Sequence, residues 1–269
     1  MNIKPYIALF RVRMLNSIQY RLAAVSGIAT QFAWGFMLII SFKAFYASNP
    51  ENFPMTIGQT VTFMWIQQAF LAAFMLWRID NSIFESIEKG NIAYDLVRPM
   101  DLYSRWFTTS TAIRVSDTSL RCIPILAIGF LLPTAFRIVM PGSLLQFLAF
   151  GISLVLALGV VVSFTMLVYI SAFYTIDSQG LRTMVAILGD FLSGAVIPIL
   201  FFPDRFRTIA MLLPFGSMQN MPILIFAGVL EGTQILQGIA LQLFWVIALV
   251  TTGRLLMNRA VKRVITQGG

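Results

Sequence analysis

The chain carries very few residues that could do covalent chemistry. Its 269 residues include no histidine and a single cysteine, Cys122, so neither a His-based triad nor a His-ligated zinc site is available. No G-x-x-x-x-G-K-[ST] stretch occurs, which excludes a nucleotide-binding P-loop. The only ionisable side chain deep within an apolar stretch is Asp190, and no second carboxylate accompanies it there. We therefore predict no catalytic residues and no metal site in this chain.

Asp190 is nevertheless a candidate binding residue. A carboxylate at the centre of a membrane span costs about 2.5–3.5 kcal/mol to insert, so it should face protein or water. One interpretation is contact with a cationic or polar substrate, or a gate in its path. The other is a hydrogen bond to a nearby Ser, Thr or Tyr, or an ion pair with Arg114 or Arg121. Ser193, three residues on, has small-xxx-small spacing with Gly189, which favours close helix packing.

The composition excludes a water-soluble globular domain. Hydrophobic residues make up 58% of the chain and charged residues only 11%, whereas soluble domains carry about 25% charged residues. Several uncharged runs exceed the roughly 20 residues that a helix needs to cross a bilayer. We therefore predict a single all-α polytopic membrane domain over residues 1–269, with six transmembrane helices at 22–46, 57–77, 115–136, 143–172, 183–203 and 232–254.

The basic residues set the predicted orientation. Lys and Arg mark the cytoplasmic side, and both ends of the chain are basic, so both termini are predicted to be cytoplasmic and the number of spans even. Residues 204–230 are interrupted by prolines and glycines, and we interpret them as a re-entrant or interfacial segment on the outer side. The predicted location is a membrane, most simply the bacterial inner membrane. The net charge of +8 then reflects orientation, and no nucleic-acid partner is expected.

Other residues are assigned by their position along the chain. Residues 1–20 have apolar side chains at helical spacing beside arginines and predict an amphipathic helix on the membrane surface; an unstructured basic leader is the alternative. Arg114, Asp117 and Arg121 share one helical face, as expected of a polar stripe at the membrane entry or of a contact with another subunit. The tryptophans are interpreted as membrane-interface residues: Trp34, Trp65, Trp77 and Trp106.

The main polar excursion covers residues 78–105, where charge is concentrated between two apolar runs. Ser82 and Glu85 have capping-box spacing, with Asp80 and Asn81 as rival caps. Apolar residues then recur at helical spacing, and Gly90 follows where a left-handed helix end is expected. The pattern predicts a short amphipathic helix with one apolar stripe. That stripe packs either on the inner surface of the protein or lipid, or in a groove of a soluble partner.

Two motifs resemble a known family. The stretch "EKGNIAYDLVRPMDLYSRW" is similar to the acid-x-G…L-x-R-P pattern that follows the second span in type-2 ABC exporter permeases. The stretch "FLSGAVIPILFFPDRFRTIAMLLPFGSMQNMP" (191–222) resembles the S-G-x-x-I-P…F-P…L-P-F signature of the same family, where a span enters short outer re-entrant helices. The two motifs also occur in the order and at the spacing typical of the family, and the basic N-terminal helix is similar too. The resemblance therefore covers the whole chain.

The resemblance implies a role and a set of partners. The chain would be the transmembrane permease subunit of an ATP-driven exporter, forming half of a path with a second permease in a homodimer or paralogous heterodimer. Cytoplasmic ABC ATPase subunits would bind ATP and Mg²⁺, and this chain would need no cofactor. The coupling helix would lie between spans 2 and 3. Its residues would be Ile83, Phe84, Ile87, Glu88, Gly90, Asp95, Arg98 and Pro99.

The remaining site residues are assigned to the path and its outer end. Asp190 and Ser193 are predicted to line the substrate path, for a drug, peptide or lipid-like substrate. The predicted outer gate comprises Pro198, Pro203, Pro214 and Phe215. Two alternatives to a permease stay open: a non-transport membrane scaffold or assembly factor, which would need no ATPase, and a membrane-embedded enzyme, which would need a cluster of ionisable residues.

Overall fold

The computed structural model describes residues 3–19, 21–51, 53–175 and 178–262, and over these ranges the protein is helical without strands. Its helices are α1 (Lys4–Gln19), α2 (Arg21–Ser48), α3 (Ile57–Phe74), α4 (Asn81–Glu88), α5 (Ile92–Leu96), α6 (Leu102–Leu131), α7 (Leu144–Ser171), α8 (Ser178–Leu192), α9 (Asp204–Leu212), α10 (Asn220–Phe226) and α11 (Thr233–Val261), with one 3₁₀ turn at Ile199–Phe201. The predicted all-α class is confirmed.

Three of the described helices are long and apolar enough to cross a membrane, over Val25–Ser48, Leu144–Ser171 and Thr233–Val261. The other three predicted spans fall on α3, α6 and α8. Polar residues in α3 and α6, and the short length of α8, make these helices less typical of a membrane span. Three glutamines interrupt α3, and α6 carries four charged residues. With 15 residues, α8 is only about 22 Å long. The six-span arrangement therefore stays a prediction.

The predicted span 183–203 is not one continuous helix. The helix α8 starts earlier, at Ser178, and ends at Leu192. It ends there because Gly194 adopts a left-handed backbone with φ of +81°, a conformation that glycine adopts readily and that breaks helical hydrogen bonding. Pro198 then precedes the 3₁₀ turn. The predicted spans 57–77 and 115–136 also end early, at Phe74 and Leu131.

The centre of the bundle is α3, which packs against α2, α6, α7 and α10. Trp65 lies at its middle with no exposed surface, and its indole Nε1 donates to the Phe136 carbonyl at 2.8 Å. The interpretation of Trp65 and Trp106 as membrane-interface residues is therefore wrong, since both are buried. Trp34 is more than half exposed, as a lipid-facing position requires.

The N-terminal helix α1 lies along the first half of α6. The backbone N–H of Asp101 donates to the Tyr6 hydroxyl at 3.3 Å, and the Ser116 hydroxyl donates to the Met14 carbonyl at 3.3 Å. The alternative of an unstructured leader is therefore wrong for Lys4–Gln19. Whether this helix lies on a membrane surface stays a prediction.

The segment after α8 consists of short pieces, and none of its helices is long enough to cross a bilayer. All seven residues of α10 are buried against α3 and α7. Carbonyls in the turns and helix ends of this segment are satisfied by side-chain N–H groups from the long helices, as a backbone in an apolar environment requires. The donor and acceptor pairs are Gln67 to Ala195 at 2.8 Å, Trp245 to Leu212 at 3.0 Å, Gln242 to Ser217 at 2.9 Å, Gln146 to Ile225 at 2.7 Å and Gln59 to Gly228 at 2.9 Å.

Removing one of these donors tests how strongly they hold the segment. Gln242 is fully buried and also accepts from the Ser153 hydroxyl at 2.8 Å. We expect Gln242→Leu to lower the free energy of unfolding by about 1–3 kcal/mol, because the Ser153 hydroxyl and the Ser217 carbonyl lose their partner in a buried place. Thermal unfolding of the purified chain in detergent measures the loss.

The matched control is Gln237→Leu on the same helix, where the side chain is exposed. It is expected to leave the unfolding temperature nearly unchanged. Equal losses in the two variants would contradict a specific anchoring role for Gln242.

Candidate coupling site

The connection between α3 and α4 is fastened by a fully buried arginine. Arg114 lies in α6 with none of its side chain exposed. Its Nη1 donates to the carbonyls of Ala73 at 3.1 Å and Met75 at 2.8 Å. Its Nη2 donates to the Arg78 carbonyl at 3.0 Å and the Thr165 hydroxyl at 3.3 Å. The end of a helix leaves carbonyls unpaired and carries partial negative charge, so a guanidinium is well placed there.

Three further contacts hold the same connection. The Arg78 side chain pairs with Asp117 of α6 at 2.5 Å. The Asp80 backbone N–H donates to the Tyr169 hydroxyl of α7 at 2.8 Å. On the opposite side, the Leu76 backbone N–H donates to Asp190 Oδ1 of α8 at 3.3 Å. The connection is therefore fixed to α6, α7 and α8 at once.

The helix α4 begins at an aspartate cap. Asp80 Oδ1 accepts from the Ser82 backbone N–H at 3.0 Å and from the Ser82 hydroxyl at 2.6 Å. The predicted Ser82–Glu85 capping box is therefore wrong, because the Ser82 hydroxyl is already bonded to Asp80 and Glu85 pairs with Lys89 at 3.2 Å. The helix ends at Glu88, and Gly90 follows with the predicted left-handed backbone, at a φ of +73°.

The apolar stripe of α4 packs on the chain's own bundle. Ile83 and Phe84 are 7% and 1% exposed, and Ile87 is half-buried. The Phe84 ring lies 5.3 Å from the Tyr169 ring, and the Arg182 guanidinium lies over its other side at 4.2 Å. Of the two interpretations left open for the stripe, the structure favours packing on the inner surface of the protein. Ile83 and Phe84 are not available to a partner in this arrangement.

The exposed face of this region is formed by other residues. Among the predicted coupling residues, Glu88, Gly90, Arg98 and Pro99 are exposed. Tyr94 and Val97, on and just after α5, are 73% and 82% exposed and were missed from the sequence. The "IAYDLV" stretch is too short to show a periodicity, so the sequence does not indicate which way its apolar side chains face.

Asp95 has a different role from its exposed neighbours. Its carboxylate forms an ion pair with Arg105 of α6 and a longer one with Arg98 at 3.6 Å. Both the Asp95 and the Arg105 side chains are largely buried, at 20% and 11% exposure. Asp95 therefore fixes the shape of the loop beneath the bundle.

The helix α8 is tied to this region at both ends. Near its start, Arg182 Nη1 donates to Asn81 Oδ1 at 3.0 Å, and the Ser178 hydroxyl donates to Glu88 Oε1 at 2.7 Å. Near its end, Asp190 accepts from Leu76 as described above. Gly189 is buried directly beneath the Leu76 side chain, which leaves no room for a Cβ. Hydrogen bonds therefore connect α8 to α4 near its start and to the α3–α4 connection near its end.

Asp190 also lines an open groove of about 360 Å³ with Trp77, Arg182 and Ile187. Ser193 is buried away from solvent; its hydroxyl donates to the Asp190 carbonyl at 3.1 Å and accepts from Gln219 at 3.4 Å. The structure therefore places Asp190 on the groove and leaves Ser193 as a buried link to the outer segment.

The predicted gate residues occupy different environments. Pro198 and Pro214 are buried and Pro203 is exposed. Phe215 is half-buried, stacks edge-on against Phe164 of α7 with ring centroids 5.1 Å apart, and lies close to the buried face of α8. No group of three or more His, Cys, Asp or Glu within the described ranges could hold a metal ion.

Comparison with known proteins supplies the family. The family model for ABC-2 family transporter proteins matches residues 24–268, which is nearly the whole chain. No curated protein sequence matches it. The match to the family model, together with the long apolar helices, indicates that this chain is an integral membrane subunit with a permease role. It belongs to the ABC-2 family of transporter proteins.

Proposed function

We propose that this chain is the permease subunit of an ATP-driven exporter, with six spans (α2, α3, α6, α7, α8 and α11) and both termini in the cytoplasm. The partners would be cytoplasmic ATPase subunits, which carry ATP and Mg²⁺, and a second permease, either identical or paralogous. The observation that carries the proposal is the α4 region, a capped helix fixed to α6, α7 and α8 that still presents an exposed face.

The exposed face would dock on the ATPase. It combines the apolar side chains of Tyr94 and Val97 with the charged side chains of Glu85, Glu88 and Lys89. Aromatic and apolar anchors surrounded by charge are typical of specific protein interfaces. Ile83 and Phe84 would act from the inside, because their burial keeps α4 rigidly attached to the spans that it moves.

Force from the ATPase would travel along α8. Movement of α4 pulls on Asn81 and Glu88, which are bonded to the start of α8. The end of α8 continues through the glycine turn at Gly194 into the outer segment, which we propose as the gate. This route joins the cytoplasmic face to the outer side through one short helix and its two hydrogen-bonded ends.

The substrate path would run along the groove that Asp190 lines. A half-buried carboxylate facing an open groove is suited to a polar or cationic group, and the apolar walls suit a drug, peptide or lipid-like substrate. The second permease would close the groove from the other side. A bacterial inner membrane is the proposed location.

The topology can be tested by labelling single cysteines from outside the cell. In a Cys122→Ser background, we expect Glu231→Cys to react with a membrane-impermeant maleimide in intact cells. Glu88→Cys is expected to react only after permeabilisation, because α4 would face the cytoplasm. Both positions are exposed in the chain alone, and it is expressed without the ATPase so that docking does not cover Glu88. Labelling of Glu88→Cys in intact cells would invert the proposed orientation.

The docking face can be tested at Val97. We expect Val97→Asp to reduce by about tenfold the ATPase activity that copurifies with the chain, because a buried anchor at an interface contributes more than 1 kcal/mol. The measurement is ATP hydrolysis per mole of purified permease, with the ATPase subunit quantified on a gel.

Two control variants separate docking from folding. Val139→Asp alters another exposed valine, 55% exposed and on the proposed outer side, and should retain full activity. Phe84→Asp places a charge in the buried contact with Tyr169 and should reduce the yield of folded protein instead. If Val97→Asp retains the same ATPase subunit and activity as Val139→Asp, this face does not dock the partner. Absence of any ATPase from all three preparations would favour a scaffold over a transporter.

The charge of Asp190 can be separated from its hydrogen bond. Asp190→Asn retains an oxygen that accepts from Leu76, so assembly and thermal stability should be unchanged. We expect substrate-stimulated ATP hydrolysis to fall about tenfold if one charged contact of about 1.4 kcal/mol is lost. Asp190→Leu removes the acceptor and should also destabilise the chain by about 1 kcal/mol. Normal transport by Asp190→Asn would remove the charge from the mechanism.

A further inference from the structure

A second polar cavity adjoins the α3–α4 connection and shares Ile79 and Asn81 with the groove at Asp190. It encloses about 240 Å³ where α1, the α3–α4 connection, α6 and α7 meet. At about 30 Å³ per water molecule, this is room for roughly eight waters or one phosphate group with its ester substituents. Its lining includes three arginines from different parts of the chain: Arg13, Arg78 and Arg114.

The arginines are not all satisfied by the chain. Arg114 is fully buried, and its Nε has no hydrogen-bond partner in the part of the chain that the structure describes. Arg13 is half-buried, and none of the described residues forms an ion pair or hydrogen bond with its side chain. Arg78 alone has a carboxylate partner, Asp117. Because Arg114 has no exposed surface, only its charge acts on the cavity, whereas Arg13 lines it with a guanidinium that has no partner among the described residues. This excess of positive charge on one cavity indicates an anion.

The nearby acids do not neutralise this cluster. Asp80 also lines the cavity, but its carboxylate caps α4 through Ser82. Counting Asp80 and Asp117 against the three guanidinium groups leaves one positive charge uncompensated. A neighbouring cavity of about 200 Å³, which shares Arg13 and Asp80, adds Arg98 and Arg105 against Asp95. The local field therefore favours a ligand that carries a negative charge.

The depth of the cavity matches a lipid headgroup. Arg114 bonds the last carbonyls of α3, so the cavity lies where the apolar length of that helix ends. In the proposed topology this is the inner surface of the membrane, where anionic lipids are concentrated. The adjoining helix α1 exposes Ile7, Val12 and Leu15 by more than half, which provides an apolar surface for acyl chains.

We propose that this cavity binds the phosphate group of an anionic phospholipid of the inner leaflet, held by Arg13 and Arg78, with the buried charge of Arg114 behind them. The bound lipid would fasten α1 beneath the α3–α4 connection and so support the fold beside α4. The assignment of the inner leaflet rests on the proposed topology, whereas binding of a phosphate group rests on the cavity alone. The same chemistry would accept free phosphate, and the experiment distinguishes the two sources.

The test compares two arginines on the same helix. Arg13 points to the cavity, whereas Arg11 is exposed and does not line it. The purified full-length chain in detergent is titrated with phosphatidylglycerol, and bound lipid is counted by native mass spectrometry. We expect Arg13→Gln to weaken binding about fivefold, the contribution of one basic residue at an anionic lipid surface. Arg11→Gln should remain within about twofold of the unchanged chain.

Three further arms define the ligand. Phosphatidylcholine, which has no net charge, should bind at least fivefold more weakly than phosphatidylglycerol. Inorganic phosphate and glycerol 3-phosphate at millimolar concentration should not displace the lipid; if they displace it and bind with the same dependence on Arg13, the ligand is a soluble phosphate and the lipid proposal is overturned. Equal losses in Arg11→Gln and Arg13→Gln would overturn the site itself. The unfolding temperature without lipid verifies that both variants are folded.

Discussion

The guanidinium of Arg114 is the interaction on which the α3–α4 connection and the helices around it depend. A charge with no exposed surface is stable only when its donors are paired, and here four hydrogen bonds reach the end of α3, the following connection and α7. The same carbonyls would be orphaned without it, because a helix cannot bond its own last turn. The hydrogen bonds of this one side chain pair both the buried guanidinium and the carbonyls at the end of α3. They also fix the position at which the chain leaves the bundle.

The segment between α8 and α11 meets the same backbone requirement mainly through uncharged side chains. It is broken into short helices and turns, and five of its carbonyls accept from neutral donors, the amides of four glutamines and one indole. Neutral donors avoid the cost of burying charge in an apolar environment. Buried charge is therefore concentrated around the α3–α4 connection, where Arg78, Asp117 and Asp80 lie close to Arg114. In the α8–α11 segment, the partly exposed Arg207 pairs with Asp204 and donates to the Leu200 carbonyl at 3.4 Å.

The sequence predicts some of these features better than others. The helical class, the end of α4 before Gly90 and the broken outer segment follow from composition and from glycine and proline positions, which act locally. The burial of Phe84 does not, because the amphipathic stripe of the eight-residue α4 shows that one face is apolar without showing what covers it. The exposure of Val97 does not either, because the stretch around α5 is too short to show a periodicity. Asp80, and not Ser82, is the N-cap of α4, because its carboxylate accepts from both the N–H and the hydroxyl of Ser82. The roles of the buried glutamines depend on contacts distant in sequence, which no local pattern reveals.

The inward orientation of the α4 stripe has a mechanical consequence. If Ile83 and Phe84 were the contact with a partner, the helix would be attached to the bundle only through its flanking loops and would tilt under load. Their burial against Tyr169, with Arg182 on the other side of the Phe84 ring, makes α4 part of the bundle. In the proposed mechanism, force applied at the exposed side chains would reach α8 through the hydrogen bonds of Asn81 and Glu88. Such a coupling element would transmit displacement because its binding face and its anchoring face are carried by different residues.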